Sequence, residues 1–293
     1  MYPEPRQRLF PRQKRLSVRR KAVTICAACI NTGDIITVED TKLTFFGGAI
    51  SAEGVASKSR QIHKDWRVLI AGDVSPLTPL LDAVKEAVKN PKQTGLRHFA
   101  RACAQAYRVE RERIIEDDIL PDYDLSTYAE YLALKGSDPR LFEAIGSNIK
   151  EAEEKWQLLF CGFTEDRKPH LFVISGRGKI EYCDAQGFAA IGSGAWAAFV
   201  ALASYPYHYL LDREEATYCL LAAKFASESA EGVGEETQLS VMKRGHLYSS
   251  FLLDGTINSV RRKWKKLPRI PKSAAAEIKK ELEKWESRMA KAR

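Results

Sequence analysis

The sequence predicts an α+β fold in which sheets and helices form separate layers. Apolar β-like runs cluster in two blocks, over 22–71 and 157–191, a pair of helical segments follows each block, and one last strand is predicted at 237–243. Strands that occur in such runs, rather than alternating singly with helices, are typical of layered α+β proteins. An alternating βαβ sheet is therefore not expected.

The first β-rich block opens with a predicted hairpin. Its strands span 22–30 and 35–38, and the polar, glycine-containing segment 31–34 between them is a strong turn signal. A loop with two glycines at 46–49 leads to a further weak strand, and the compact apolar run at 67–71 predicts a buried strand. The block should therefore supply four strands.

Two helices are predicted next, over 74–88 and 94–118. Apolar residues recur in the first helix with helical spacing and form one stripe, and Pro91 lies beyond its end, as is common after a helix. The second helix is apolar and rich in Ala at first and highly charged over 108–118. Residues 119–150 contain two prolines and short helical stretches, which predicts an insertion or a lid.

The second β-rich block holds predicted strands that are separated by turn-like polar segments. The strands span 157–163, 170–175, 179–184 and 188–191. Two helices follow at 195–205 and 212–229, and the first of them is apolar on nearly all sides, which predicts that it is buried. The second begins with Asp212 and has Glu215 three residues later, a capping-box arrangement.

The basic charge of the chain is confined to its two ends. Residues 1–21 carry eight Lys or Arg and one Glu, and residues 261–293 carry thirteen Lys or Arg and four Glu, so that with a total charge of +8 the stretch 22–260 has a net charge of −8. This pattern excludes a basic nucleic-acid-binding core and leaves only the tails for such a function.

These features divide the chain into three parts. Residues 1–21 are rich in Arg, Gln and Pro and predict a disordered basic arm or a propeptide. Residues 22–245 form the folded domain, which includes the insertion. Residues 246–293 are predicted to be a basic linker and a C-terminal helix at 274–289, whose Glu and Lys residues three and four apart favour a solvent-exposed helix.

The composition indicates a cytoplasmic protein without a metal or other cofactor and without a membrane segment. No apolar run is long enough to span a membrane, and the first residues lack the apolar stretch of a signal peptide. Cys26 and Cys29 form a CxxC motif within a predicted strand, so that their side chains point to opposite faces, and no second Cys or His pair has metal-ligand spacing. Buried thiols rather than disulfides are expected. The cysteines are Cys26, Cys29, Cys103, Cys161, Cys183 and Cys219.

A series of residues occurs in the order and at the spacing of a known family. The series is Thr24, Asp40, Lys58, Gly72, the tripeptide Gly192-Ser193-Gly194, and Gly232 with Gly234. Thr24 opens the first strand and Asp40 follows the second, 16 residues later. In this order, and in the predicted elements beneath it, the domain resembles the proteasome β-subunits and their bacterial relatives, which are N-terminal-nucleophile hydrolases, as a divergent bacterial-type member. The resemblance implies a four-layer αββα sandwich of two packed antiparallel sheets flanked by helices, and a homo-oligomer such as a ring or dimer.

The resemblance also implies a role for each matching residue. Thr24 would be the nucleophile, and its own α-amino group, which titrates at about pH 8, would be the base. Lys58 would keep that amine neutral by disfavouring a second positive charge, and Asp40 would hold Lys58 through a charge-assisted hydrogen bond. The backbone N–H of Gly72 would face the developing oxyanion, and Ser193 would supply a supporting hydroxyl. The implied substrate is a peptide or amide.

Two residues depart from the family pattern. Val23 stands where self-processing members have Gly before the nucleophile, and Ala230 occupies the position of an Asp that lies just before the late glycines. Glu228 and Glu231 are nearby acids but are out of register. A second alignment, which places Gly33 at the hairpin turn of the family, would put Val23 at the nucleophile position and exclude catalysis.

Three functions are compatible with these observations. The first is a threonine-type amidohydrolase or peptidase, which requires that Thr24 becomes the N-terminal residue. The second is a catalytically silent scaffold or ring subunit, which Val23 and Ala230 favour. The third is binding of nucleic acid or another acidic surface through the basic tails, which would depend steeply on salt but has few aromatic residues for base stacking.

Overall fold

The fold is described by a computed structural model that covers most of the predicted domain. The described residues are 24–45, 50–52, 57–72, 74–89, 95–153, 156–205, 207–208, 210–230, 232–243, 246–249 and 254–266. The chain divides into two units, of which the first ends at Ser250, and among the described residues the second unit contains only 254–266. The arm at 1–21 and the helix predicted at 274–289 lie outside the described residues.

Strands and helices follow the predicted order along the described parts of the chain, except that the first β-rich block supplies six strands rather than four because β3 and β4 form a short extra hairpin. The strands are β1 (Cys26–Asn31), β2 (Asp34–Asp40), β3 (Leu43–Phe45), β4 (Ile50–Ala52), β5 (Ser59–His63), β6 (Trp66–Ala71), β7 (Gln157–Phe163), β8 (Pro169–Ser175), β9 (Lys179–Tyr182), β10 (Phe188–Ile191), β11 (Thr237–Lys243) and β12 (His246–Ser249). The α-helices are α1 (Val74–Val88), α2 (Leu96–Asp118), α3 (Tyr128–Ser137), α4 (Pro139–Glu153), α5 (Ala195–Ser204), α6 (Arg213–Ser227) and α7 (Asp254–Lys266). A short 3₁₀-helix spans Leu120–Tyr123.

Most of these strands form two five-stranded antiparallel sheets. Sheet I has the order β10-β1-β2-β11-β12, sheet II has the order β5-β6-β7-β8-β9, and β3 pairs with β4 in a separate hairpin. Since β1 lies between β10 and β2, the residues just before β1 lie next to the end of β2 and to the turn that follows β10. This topology determines where the candidate site forms.

The two sheets pack face to face, and their side chains alternate between an inner core and the outer helices. In β6, Leu69 and Ala71 lie in the core between the sheets, whereas Val68 belongs to the cluster formed with α1 and α2. In β7, Leu159 faces inward and Phe160 outward in the same way. This is the two-residue period of a strand that is buried on both faces. Sheet I contributes to the inner core Cys26, Ala28, Ile30 and Ile35.

Helices cover the outer face of each sheet. Helices α1 and α2 pack on sheet II through a cluster that joins Val84 and Tyr107 to Phe160 and Phe172. Helices α5 and α6 lie on sheet I, where α6 contacts β1 and β2 and α5 contacts β10. The layers therefore run helices, sheet, sheet, helices, and the predicted four-layer αββα sandwich is confirmed.

The segment predicted to be an insertion is helical and has a small core of its own. Tyr131, Ile145 and Ile149 from α3 and α4 pack with residues from the end of α2. Buried Arg111 on α2 donates from Nε to Glu153 Oε1 on α4 at 2.7 Å, so that a charged pair also ties the two helices together. Its function as a lid stays a prediction.

Helix α5 is not buried, contrary to the prediction from its apolar sequence. Its buried residues are Ala198 and Leu202, whereas Trp196 is 79% exposed and Val200 is 50% exposed. A sheet covers only one side of a helix that packs on it. The opposite apolar side of α5 therefore faces outward among the described residues.

The C-terminal part of the chain also differs from the prediction. Sheet I continues beyond residue 245, because β12 pairs with β11, and α7 forms over 254–266, where a linker was predicted. Lys and Arg are good helix formers, so a dense basic charge does not by itself indicate a linker. None of the described helices combines the length and the apolar character that crossing a bilayer requires.

The six cysteines are buried and none forms a disulfide, as the sequence predicts. Cys26 lies between the sheets, while burial raises the pKa of Cys161 and of Cys183 to about 12. Because the thiolate is the reactive form, a thiol with so high a pKa is a poor nucleophile at neutral pH.

Candidate functional site

The candidate site begins where the two ends of the β1–β2 hairpin meet. Thr24 lies just before β1 and Asp40 is the last residue of β2, and they are 2% and 0% exposed. Since the strands are antiparallel, their outer ends are adjacent, and the Asp40 N–H donates to the Ile25 carbonyl at 3.1 Å. Asp40 Oδ1 accepts from Thr24 Oγ1 at 2.6 Å and from the Ile25 N–H at 2.9 Å.

Lys58 brings an ammonium to the same carboxylate. It lies just before β5, is 8% exposed, and donates from Nζ to Asp40 Oδ1 at 2.7 Å and also to Thr24 Oγ1. Its carbonyl accepts from the Ile70 N–H of β6 at 2.9 Å, which fixes the backbone at this point. A hydroxyl, a carboxylate and an ammonium thus form one buried cluster, although 34 residues separate Thr24 from Lys58.

Ser193 approaches Thr24 from the other side, on the turn between β10 and α5. The Thr24 N–H donates to Ser193 Oγ at 3.2 Å, and the Thr24 carbonyl accepts from Ser193 Oγ at 3.4 Å and from the Gly194 N–H at 3.2 Å. The Gly192 N–H donates to Gln157 Oε1 of β7 at 2.7 Å, which connects this turn to sheet II. The nitrogen that would be the α-amine of a chain beginning at Thr24 therefore lies within hydrogen-bond distance of a hydroxyl.

Gly72 follows β6 and has a φ of +133°, a conformation that favours glycine. Among the described residues it makes no hydrogen bond to Thr24, Asp40, Lys58 or Ser193. The N–H of an oxyanion hole is directed at the substrate, so its assignment to Gly72 stays a prediction.

Glu39 is a member of this region that the sequence-based reasoning missed. It is 3% exposed, and its Oε1 accepts from Ser57 Oγ at 2.7 Å and from Ser59 Oγ at 3.4 Å, the two residues that flank Lys58. Burial raises the pKa of Glu39, against the opposing effects of the Ser57 hydrogen bond and the positive charges of Arg67 and Lys58. The alternation Ser-Lys-Ser and the adjacent pair Glu-Asp were the available signal, but these segments belong to different sheets, so only the packing of the two sheets brings them together.

The loop between α6 and β11 contributes a backbone group rather than a side chain. Asp40 Oδ2 accepts from the Gly234 N–H at 3.2 Å. Glu228, an acid that the sequence offered in place of the missing Asp, instead pairs through Oε1 with Lys224 Nζ at 2.5 Å. The other acid, Glu231, lies outside the described residues. Ala230 has no polar side chain, so Gly234 supplies the described contact of this loop with Asp40.

The arrangement suits acid–base and nucleophilic chemistry at the Thr24 hydroxyl. Within the described parts of the chain, no group of three His, Cys, Asp or Glu residues is placed to hold a metal ion. The Thr24 hydroxyl contacts both Asp40 and Lys58, whereas Val23 lies outside the described residues.

The raised pKa of Glu39 predicts a specific pH dependence of stability. A carboxyl that binds its proton more tightly in the folded state contributes stability below about pH 4.5, its unfolded value, and that contribution is lost as the pH rises toward the folded value. In Glu39→Gln this loss is absent. The free energy of unfolding of the variant minus that of the wild type, measured by urea denaturation, should therefore increase between pH 4 and pH 8. The exposed Glu86→Gln is the control, and parallel curves for Glu39→Gln and wild type would contradict the prediction.

Gly192→Ala should distort the site and destabilise the fold. A Cβ at Gly192 would lie 2.7 Å from Thr24 Cγ2 and 2.9 Å from the Thr24 carbonyl carbon, and the φ of +96° disfavours any L side chain. We expect a loss of about 1–3 kcal/mol in the free energy of unfolding. Gly136→Ala, where a Cβ meets open space within a helix, should be neutral or stabilising by up to about 1 kcal/mol. Equal effects of the two changes would refute the steric explanation.

Comparison with known proteins extends these observations at the level of fold. No protein-family model matches the chain, and no curated protein matches it either. The solved structures similar to it include the Anbu (Gly-1) mutant from Hyphomicrobium sp. strain MC1, with 15% identity, and Anbu (ancestral beta-subunit) from Yersinia bercovieri, with 14% identity. Each match has a TM-score of 0.57 and covers 85% of this chain and 99% of the other. At such identity the similarity shows the fold alone, and the chain therefore has the proteasome-like N-terminal-nucleophile fold.

Proposed function

We propose that the chain is a threonine-type hydrolase of peptide or amide bonds that is active when Thr24 is its first residue. The observation that carries this proposal is the contact of the Thr24 hydroxyl with both the Asp40 carboxylate and the Lys58 ammonium in a buried cluster. The similarity to Anbu supports the proteasome-like scaffold on which this chemistry would take place.

In the proposed reaction the α-amino group of Thr24 is the base. The Oγ proton passes to the neutral amine as Oγ attacks the carbonyl carbon, and the carbonyl oxygen becomes an oxyanion, for which the Gly72 N–H is the proposed donor. The intermediate then collapses: the C–N bond breaks, and the α-ammonium gives its proton to the departing nitrogen. The acyl group remains bound to Oγ as an ester. Water, deprotonated by the same amine, then hydrolyses the ester.

Lys58 and Asp40 would prepare the hydroxyl for attack. The Lys58 charge stabilises the negative charge that develops on Thr24 Oγ and disfavours protonation of the neighbouring amine. Asp40 holds Lys58 in place and orients the hydroxyl through the same oxygen, Oδ1. Ser193 Oγ, 3.2 Å from the Thr24 nitrogen, would orient the amine.

The decisive test is a protein produced with Thr24 as its first residue and assayed on a panel of short peptides with fluorogenic C-terminal amides. We expect turnover from this form and none from the full-length chain, in which the nitrogen of Thr24 is an amide. Thr24→Ala should lower the rate by at least about 10³-fold because the nucleophile is removed. Thr78→Ala, on helix α1, is the matched control and should retain activity. Turnover by full-length Thr24→Ala would rule the proposal out.

The second candidate function is a catalytically silent subunit with the same scaffold. It is favoured by Val23, which precedes the nucleophile position, and by Ala230, which brings no acid to the site. The intact mass of the protein isolated from its native cell separates the two candidates. A mass short by residues 1–23 supports the hydrolase, whereas a full-length mass in every preparation supports the silent subunit.

We also propose that the chain assembles into a homo-oligomer through the outward side of α5. Trp196 and Val200 are one helical turn apart on this helix, 79% and 50% exposed, and 195–204 contains no charged residue. Leu210, 63% exposed, follows in the next loop. Large apolar side chains exposed together are typical of protein–protein interfaces.

Light scattering coupled to size-exclusion chromatography tests this assembly. The wild type should have a molar mass that is a multiple of 33.0 kDa, and Trp196→Glu should shift it toward the monomer because a charge would be buried in the interface. Leu132→Glu, at a residue 51% exposed on α3, should leave the assembly unchanged. A monomeric wild type, or an unaltered assembly in Trp196→Glu, would count against the proposal.

A further inference from the structure

A second buried ammonium lies behind the site, on the helix that covers sheet I. Lys224 of α6 is 0% exposed. Its Nζ donates to Glu228 Oε1 at 2.5 Å, to the Gly234 carbonyl at 2.7 Å and to the Glu235 carbonyl at 2.9 Å. Burying a charge is costly unless it is paired and hydrogen-bonded, and here two of the partners are carbonyls of one short loop.

That loop is the one that reaches Asp40. The Gly234 carbonyl accepts a hydrogen bond from the Lys224 ammonium, and the Gly234 N–H donates to Asp40 Oδ2 at 3.2 Å. Lys224 is therefore connected to the Asp40 carboxylate through a single residue. The other oxygen of this carboxylate, Oδ1, contacts the Thr24 hydroxyl and the Lys58 ammonium.

Lys224 holds two backbone carbonyls of the loop, and the Glu236 carboxylate at the end of the loop accepts from Thr41 Oγ1 at 3.0 Å. Ala230 has no polar group, and the Glu228 carboxylate is directed at Lys224 rather than at the site. Thr24, Ile25 and Lys58 hold Oδ1, and the Gly234 N–H is the described donor to Oδ2, so this bond adds a fourth constraint on the orientation of the Asp40 carboxylate. Misplacement of a catalytic group by about 1 Å can lower catalysis by about 100-fold.

We propose that Lys224 is a positioning residue of the Thr24 site, which it serves by holding the 232–236 loop so that the Gly234 N–H orients Asp40. This inference rests on the proposed hydrolase function for its effect on rate, but not for its effect on structure. Lys224 acts on the Thr24 hydroxyl through Gly234 and Asp40.

The test uses two variants. Lys224→Met keeps most of the side-chain volume, and the double variant Lys224→Met with Glu228→Gln also removes the carboxylate that would otherwise lose its partner. Lys89→Met, the same change at an exposed lysine, is the matched control. Two measurements are made on each protein: hydrogen exchange of the Gly234 amide, and kcat and KM of the form that begins at Thr24.

We expect the Gly234 amide to lose protection in both Lys224 variants while the Val241 amide in β11 stays protected, and kcat to fall by about 10- to 100-fold with KM unchanged. Unchanged protection of Gly234 in the double variant would overturn the proposal, as would unchanged kcat in an active enzyme. If the Thr24 form is inactive in the wild type as well, the proposed hydrolase function fails. The exchange measurement alone then decides whether Lys224 positions the loop.

Discussion

The Asp40 carboxylate is the interaction on which the candidate site depends. It is completely buried and accepts from a hydroxyl, an ammonium and two backbone N–H groups. These donors belong to the start of β1, the segment before β5 and the loop before β11, so that three distant parts of the chain converge on the end of β2. Because a buried carboxylate without partners is strongly unfavourable, the requirement to satisfy Asp40 limits how these segments can be placed.

The region around Asp40 is more highly charged than a buried region needs to be for stability alone. Lys58, Glu39 and Lys224 are all less than 9% exposed, and burial opposes the ionisation of Glu39 strongly enough to raise its pKa. Buried ion pairs are weak evidence for stability, because desolvation can exceed the electrostatic gain. A concentration of such groups at one end of the sandwich is instead typical of a functional site, where local departures from the usual pattern of burial are expected.

Local patterns predicted the elements well wherever the interactions that decide them join residues close in sequence. The helical stripe of α1, the turn between β1 and β2, and the N-cap of α6, where Asp212 Oδ1 accepts from the Glu215 N–H at 2.9 Å, are all found in the structure. Two of the errors concern environment rather than pattern. The exposure of α5 depends on which side of it a sheet covers, and β12 depends on pairing with β11, neither of which is encoded in the local sequence.

The sequence by itself determined a layered α+β fold and the order of Thr24, Asp40, Lys58 and Ser193, because periodicity, turns and spacing are properties of the linear chain; the αββα sandwich was what the family resemblance implied. The tertiary structure alone decided that the hydroxyl, the carboxylate and the ammonium meet. It also decided that Glu39 supports the residues beside Lys58 and that the α6–β11 loop reaches the site through a backbone N–H. Such contacts join groups that are up to 194 residues apart, and their geometry is set by sheet register and by the burial of charge, which act only once the layers have packed.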